Sequence, residues 1–204
     1  MSPAQQTELP RAGPDDITVL SHVIAAAFHD LPPSPWLIAD PVERGAVFPP
    51  YFQIFVEMAL AQGVVLTNPE RSAAALWLNV RAGHDGGFAD YDDRLAAAVG
   101  RHIDRFRTFE ALLEERHPAG ADYCHLAMLA VRPDRQRQGI GSALLSGSHQ
   151  MLDAAGTPGY LEASDLGTRS IYLRCGYADR GVPVQFPAGP CMYPMWRGPG
   201  GQDP

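Results

Sequence analysis

Apolar residues recur along this chain in two rhythms, one of three to four positions and one of short, nearly continuous runs. Ile17, Leu20, Ile24, Ala27 and Phe28 have helical spacing, and Asp15 or Asp16 can cap that helix. A short first strand is expected over 8–11. Residues 31–41 hold four prolines around Trp36 and read as a loop. Pro49-Pro50 predicts a break in the next helical stretch, with 51–62 as its second piece and Gly63 as its stop. Runs at 64–67 and 72–79 predict two strands joined by the turn Asn68-Pro69-Glu70-Arg71. A polar loop over 83–90 leads to helices over 91–99 and 101–116, parted at Gly100. The run at 123–131 is the central strand. After it comes a helix over 138–155 with Ile140, Leu144, Gly147, Met151 and Ala155 on one face, stopped by Gly156 and Pro158. A strand at 159–163, a helix at 168–175 and a hairpin from 182–186 and 191–196 complete the pattern. Pro194 marks an edge or a bulge in the last strand.

The chemistry concentrates at the junction between strand 123–131 and the helix that follows, which reads Gln136-Arg137-Gln138-Gly139-Ile140-Gly141-Ser142. Two glycines there let a backbone approach a ligand closely. The helix start supplies unpaired N–H groups and the positive end of its dipole, a site for a diphosphate. Three phosphate loops compete. A nucleoside-triphosphate loop needs Lys after its last Gly, and every basic side chain in this chain is Arg. The same absence excludes a pyridoxal-phosphate Schiff base. A dinucleotide fingerprint needs a third Gly that here falls three residues late, at Gly147, although Glu162 sits at the acidic position. The remaining reading is a Gln/Arg-x-x-Gly-x-Gly/Ala loop for the pyrophosphate of coenzyme A.

On those residues the stretch 124–177 resembles the core of the GCN5-related N-acetyltransferases (GNAT). Gln136, Gly139 and Gly141 are similar to that family's loop, and Tyr172-Leu173-Arg174-Cys175-Gly176-Tyr177 to its Tyr-x-x-x-Gly-Phe element. Residues 26–33, Asp40-Pro41-x-x-Arg44, Ala74-Ala75-Leu76-Trp77, the layout of 94–118 and Leu161-Glu162-Ala163-Ser164 are similar to the subgroup containing puromycin N-acetyltransferase. The resemblance implies an α/β (α+β) GNAT fold, a mixed and mostly antiparallel sheet of six to seven strands with helices on both faces. It implies acetyl-CoA as cosubstrate and no metal. It places the pantetheine arm against the backbone of Leu129, Ala130 and Val131, where an N–H would serve as oxyanion donor. The diphosphate falls on Gln136, Arg137, Gln138, Gly139, Ile140, Gly141 and Ser142. Tyr172 becomes the acid that protonates the leaving sulfur, since a phenol and a thiol are close in pKa. Thr168 stands where the family often has a cofactor-contacting Asn, and Arg169 where the subgroup tends to be apolar.

The base is left open. Glu162 is one candidate, through water, or a structural carboxylate. His125 is another, although strand alternation puts it on the face of Ala127 and Leu129, where a core histidine is expected. His84-Asp85 with Asp90, Asp92 and Asp93 reads as a solvated rim without metal-ligand spacing. Trp36, Phe52, Phe55 and Trp77 are candidates for an acceptor pocket or for plain core.

Composition narrows the rest. The 204 residues suit one domain over 1–204, with a core motif over 123–177 and flexible ends near 1–7 and 198–204. The net charge of −7 argues against nucleic acid and mildly favours a cationic amine. No run approaches a membrane span, Met1 to Leu9 has no basic residue, and the three cysteines show no pairing, so a cytoplasmic protein is expected. The expected activity is acetyl transfer from acetyl-CoA to a small primary amine. A protein or peptide acetyltransferase with an open groove between 31–41 and 182–190, and a CoA-binding module without catalysis, are the alternatives. The strand near 192–196 is an edge that would support a homodimer.

Overall fold

The computed structural model describes residues 9–83, 88 and 90–201. The residues 1–7 and 202–204 of the expected flexible ends lie outside them, as do Glu8, His84 and Asp85.

Seven strands form one sheet in the order β1 (Gly63–Thr67), β2 (Ala73–Val80), β3 (Tyr123–Val131), β4 (Gly159–Ala163), β7 (Cys191–Arg197) and β5 (Ala178–Asp179), with β6 (Val184–Gln185) also paired to β7. Only the β3–β4 pair is parallel. The central strands β3 and β4 match their expected bounds. The expected first strand reduces to a bridge between Arg11 and Leu66.

Helices cover both faces. On one face, α1 (Ile17–Phe28) and α3 (Pro41–Gln62) pack with α4 (Tyr91–Val99) over a core that includes Leu20, Ile24, Phe48, Phe52 and Leu76. On the other, α6 (Ile140–Ala154) and α7 (Leu166–Arg174) pack over Trp77, Leu126, Leu144 and Leu161. The short α2 (Pro33–Leu37) and α5 (Ile103–Glu114) close the end of the sheet against Phe186 and Met192. No helix of the described residues is long and apolar enough to cross a membrane.

Four local expectations are corrected. Residues 33–37 are helical, because Pro33 occupies the first helical position, where a missing N–H costs nothing. Pro49 and Pro50 do not break α3. Each costs about 3 kcal/mol in a helix interior. Phe48, Tyr51, Phe52, Ile54 and Val56 are buried beside them, and each such burial is worth about 1.5–3 kcal/mol. The buried face of α6 is turned from the expected one, to Leu144, Leu145, Ser148 and Leu152. Ser148 is drawn inward because its Oγ donates to the Leu144 carbonyl at 2.7 Å and accepts from Trp77 Nε1 at 2.9 Å. Finally, β7 is not a free edge. It pairs with β4 on one side and with β6 and β5 on the other, and Pro194 falls where the outer partner changes. That removes the edge on which the homodimer expectation rested.

Gly63, expected as a helix stop, is also required by contact: a Cβ there would lie 1.9 Å from the Trp77 carbonyl oxygen.

Candidate active site

The site begins where β3 and β4 part. Their pairing covers only Cys124 with Gly159 and His125 with Tyr160, so the strands diverge beyond it. The side of β3 from Leu126 to Val131 that faces β4 is therefore open. On its other side β3 pairs with β2 as far as Val131, with Ala127 as an extra, bulged residue between Leu126 and Met128. The bulge resets the alternation. Met128 and Ala130 pack with the α1–α3 core, while Leu126 and Leu129 pack with the α6 core. His125, expected on the face of Leu129, therefore lies on the face of Met128.

The loop at the end of β3 is exposed throughout 132–139. Gly139 (φ +81°) and Arg137 (φ +60°) both take the left-handed conformation, which turns the chain into α6. The first backbone bond of α6 is Ala143 N–H to the Gly139 carbonyl, at 2.9 Å. The N–H groups of Ile140, Gly141 and Ser142 have no partner among the described residues, and no side chain caps the helix. Such a set of backbone N–H groups could hold an anion. The amide of Gln136 donates to the Val131 carbonyl at 3.0 Å and ties the loop to the strand. The amide of Gln138 turns back to the Asp134 carbonyl, at 3.4 Å.

From that seam a cavity of about 710 Å³ runs under the sheet face that carries α3. Leu129, Val131, Gln136, Thr168 and Tyr172 line its seam end, and Phe28, Tyr51, Phe52, Phe55 and Phe109 its far end. Phe52 and Phe55 are thus pocket residues, as one reading had it. Trp36 packs on Phe186 outside the cavity, and Trp77 is buried on the opposite sheet face. The two loops between which a peptide groove was expected touch at Trp36, and residues 35–37, Ala39 and residues 188–190 still line a cavity of about 560 Å³ between them. Trp36 Nε1 donates to the Pro187 carbonyl at 2.9 Å, and its ring lies 5.0 Å from that of Phe186.

Between the two ends sits Glu162, its side chain only 5% exposed. His125 Nε2 is 2.9 Å from Oε2, and His117 Nε2 is 3.2 Å from Oε1, close but out of line for a hydrogen bond. His117 Nδ1 meets the Tyr123 hydroxyl at 3.0 Å and the exposed Glu114 at 3.6 Å. Burial works to raise the Glu162 pKa, but His125 and His117 outweigh it and hold the carboxyl far below its usual range. Burial likewise works against protonated His117, but Glu162 prevails and the imidazole pKa is raised. Ligand atoms of His117, His125 and Glu162 all lie within 4.8 Å, a donor set that a metal ion would have to take from these proton-sharing pairs. Sequence reasoning missed His117. It comes after the end of α5, and no spacing signal links it to residue 162.

Tyr172 is buried on α7 with its hydroxyl unpartnered among the described residues. Burial, then Cys175, raises its pKa above that of a free phenol, so the proposed acid stays protonated and is a weaker donor than the expected match to a thiol. Thr168 is already engaged: its hydroxyl donates to Asp165 Oδ2 at 2.9 Å and its N–H to Oδ1 at 2.8 Å, which caps α7. Arg169 pairs with Asp179. Asp90, Asp92 and Asp93 lie outside the cavity lining.

Residues 89–179 match the family described as the acetyltransferase (GNAT) domain. A Corynebacterium glutamicum structure described as histone acetyltransferase HPA2 and related acetyltransferase superposes with a TM-score of 0.69, covering 96% of this chain and 97% of its own, at 23% identity. Arylalkylamine N-acetyltransferase 2 from Aedes aegypti gives 0.62 over 93% and 97%, at 11% identity. Ribosomal-protein-S18-alanine N-acetyltransferase from Escherichia coli gives 0.50 over 92% and 90%, at 18% identity. Over residues 89–179 the chain is similar to a GNAT acetyltransferase domain. The GNAT fold extends past the matched residues on both sides. The structures it resembles include enzymes named for small arylalkylamines and for a protein substrate, so likeness alone leaves the acceptor open.

Proposed function

We propose that this chain transfers an acetyl group from acetyl-CoA to the primary amine of a small, largely apolar molecule, by direct attack within a ternary complex. The observation that carries this reading is the aromatic-lined cavity that meets the open β3–β4 seam at Glu162. The unpaired N–H groups of Ile140, Gly141 and Ser142 would hold the diphosphate, with Arg137 and Gln138 beside it. The pantetheine arm would lie along Leu129, Ala130 and Val131, and a backbone N–H there would meet the oxyanion.

The amine nitrogen attacks the thioester carbonyl carbon. A C–N bond forms, the C–S bond breaks, and the thiolate leaves. Tyr172 stabilises that thiolate with its hydroxyl proton. The amine's proton needs an acceptor, and Glu162 with its pKa so depressed is a poor final one. Glu162 accepts a hydrogen bond from the neutral amine, and His117 in its neutral form, with Nε2 3.2 Å from the carboxylate, takes the proton released as the C–N bond forms. Glu162 thus acts as relay more than base.

The subgroup motif adds no substrate information. Asp40 accepts from the Glu43 N–H at 2.7 Å to cap α3, and buried Arg44 donates to the Ile38 carbonyl at 2.6 Å, both structural duties. Titration with acetyl-CoA by calorimetry, followed by thiol-release assays on apolar amines and on N-terminal peptides, tests the reading. Micromolar binding with turnover of the amines supports it. Binding without turnover of any acceptor would point to the non-catalytic CoA module, and peptides preferred over all small amines would move the assignment to protein acetylation.

A further inference from the structure

The far end of the cavity holds a second, half-buried carboxylate that acetyl transfer does not use. Glu110, on α5, lines the cavity together with Tyr51 and Tyr91. Both tyrosine hydroxyls donate to the same oxygen, Oε1, at 3.3 Å and 2.6 Å. Oε2 has no hydrogen-bond partner among the described residues. The walls around it are aromatic. Tyr51 meets Phe106 edge-on at 4.6 Å and Phe55 at 5.1 Å. Arg107 also lines the cavity, but its guanidinium is placed towards Asp92, at 3.9 Å.

A carboxylate in an apolar chamber is costly unless its lone pairs are used. Burial accordingly pushes the Glu110 pKa up, against the pull of the Tyr91 and Tyr51 hydroxyls. A donor arriving at Oε2 would complete its hydrogen bonding. The spacing along the chain sets the reach. Glu110 and Glu114 lie one turn apart on the same face of α5. Glu114 is 3.6 Å from His117, and His117 is 3.2 Å from Glu162. With about 6 Å for the helical turn and the width of the imidazole added, the two cavity carboxylates are at most about 15 Å apart. An extended chain of about five carbons, with a hydrogen bond at each end, spans about 13 Å and falls within that bound.

Building on the acetyltransferase reading, we propose that the acceptor is bifunctional: a primary amine presented near Glu162, an apolar body against the aromatic walls, and a second hydrogen-bond donor, hydroxyl or ammonium, seated on Glu110 Oε2. Glu110 would then set specificity rather than take part in the chemistry. An apolar pocket by itself favours the more apolar of two equal-sized ligands, whereas a site built around a buried acceptor discriminates against the ligand that cannot donate.

Three amines of matched length test this: hexylamine, 5-aminopentan-1-ol and 1,5-diaminopentane, with kcat/KM counted per amine group. The wild-type protein should favour at least one bifunctional amine over hexylamine by tenfold or more. Whether the alcohol or the diamine leads tells which donor Glu110 takes. In Glu110→Gln the preference should fall below threefold, mainly through KM. A merely structural Glu110 would lower all three rates in parallel and keep their ratio, which overturns the proposal. Hexylamine equal to or better than both partners in the wild type overturns it without any variant, and leaves the acetyltransferase reading standing. Absence of thiol release with every amine overturns both.

Discussion

The two halves of the proposed site would hold their ligands by opposite means. The donor half is exposed backbone contributed by consecutive residues, in which Ile140, Gly141 and Ser142 offer N–H groups whatever their side chains. The acceptor half is buried side chain, gathered from α3, α4, α5, β3 and β4, with Glu162 fixed by two imidazoles from different segments. A backbone cradle is robust to most substitution and sensitive to the few that block its conformation or its charge. A side-chain cavity can be retuned one residue at a time without disturbing the cradle. The difference teaches that cofactor and acceptor specificity are separable here, and substitutions in each half should fail in different ways.

The largest effect is expected in the cradle. Gly139→Glu should weaken acetyl-CoA binding by at least about 100-fold. It places a carboxylate beside the diphosphate and a Cβ on a left-handed residue, a strain of about 1–2 kcal/mol. Space is not the obstacle, since no atom lies within 4 Å of that Cβ. Thermal unfolding should therefore shift by only a few degrees. Calorimetry showing unchanged acetyl-CoA affinity would remove the cradle from the site. Next in size is the acceptor half. Glu162→Gln should lower kcat about 100-fold, within the range of general acid–base contributions, and leave acetyl-CoA affinity within twofold. A parallel loss of both would mean that Glu162 shapes the whole seam, and the separation of halves would fall.

The same contrast explains what could be read before folding. Gln136, Gly139 and Gly141 stand together, so the proposed diphosphate loop could be read as a string, and the strands at 123–131 and 159–163 followed from their apolar runs. The bulge at Ala127 was not legible. It depends on how β2 and β3 settle their register, and it moved His125 to another face. His117 was not legible either, because its partner lies 45 positions away by subtraction of 117 from 162 and is met only through the fold. Pro49-Pro50 misled because local propensity was outweighed by buried aromatics. Glu162 and Tyr172 were proposed through the resemblance, and burial and partners change the chemistry expected of each.

Tyr172→Phe sharpens the boundary between the halves, since Tyr172 lines the seam where both ligands meet. Its hydroxyl is unpartnered among the described residues, so the variant loses no native hydrogen bond there and should fold normally. With its pKa raised, the phenol contributes a hydrogen bond to the thiolate more than a completed proton transfer. The loss in kcat should be about tenfold, in the lower part of what acid catalysis supplies. A loss near 1000-fold, measured by single-turnover thiol release, would restore Tyr172 as a full general acid.

The smallest effect is in stability, and its pH dependence carries the information. His117 has a folded pKa above its ordinary value of 6.5, so its pairing stabilises the fold fully below about pH 6.5 and is lost as pH rises through the raised folded value. Glu162 has a folded pKa below its ordinary 4.5, so its contribution is present above about pH 4.5 and lost as pH falls through the depressed value. Both contributions are complete together only between about pH 4.5 and 6.5. His117→Gln keeps a polar side chain but cannot carry the charge. Its deficit in melting temperature, a few degrees at most, should be widest inside that window and should narrow above it. A deficit that stays constant from pH 5 to pH 9 would mean that His117 is held by packing against Tyr123 and Tyr160 alone. In that case the charge pairing with Glu162 contributes nothing to the fold, and the acceptor half has no proton relay built into it.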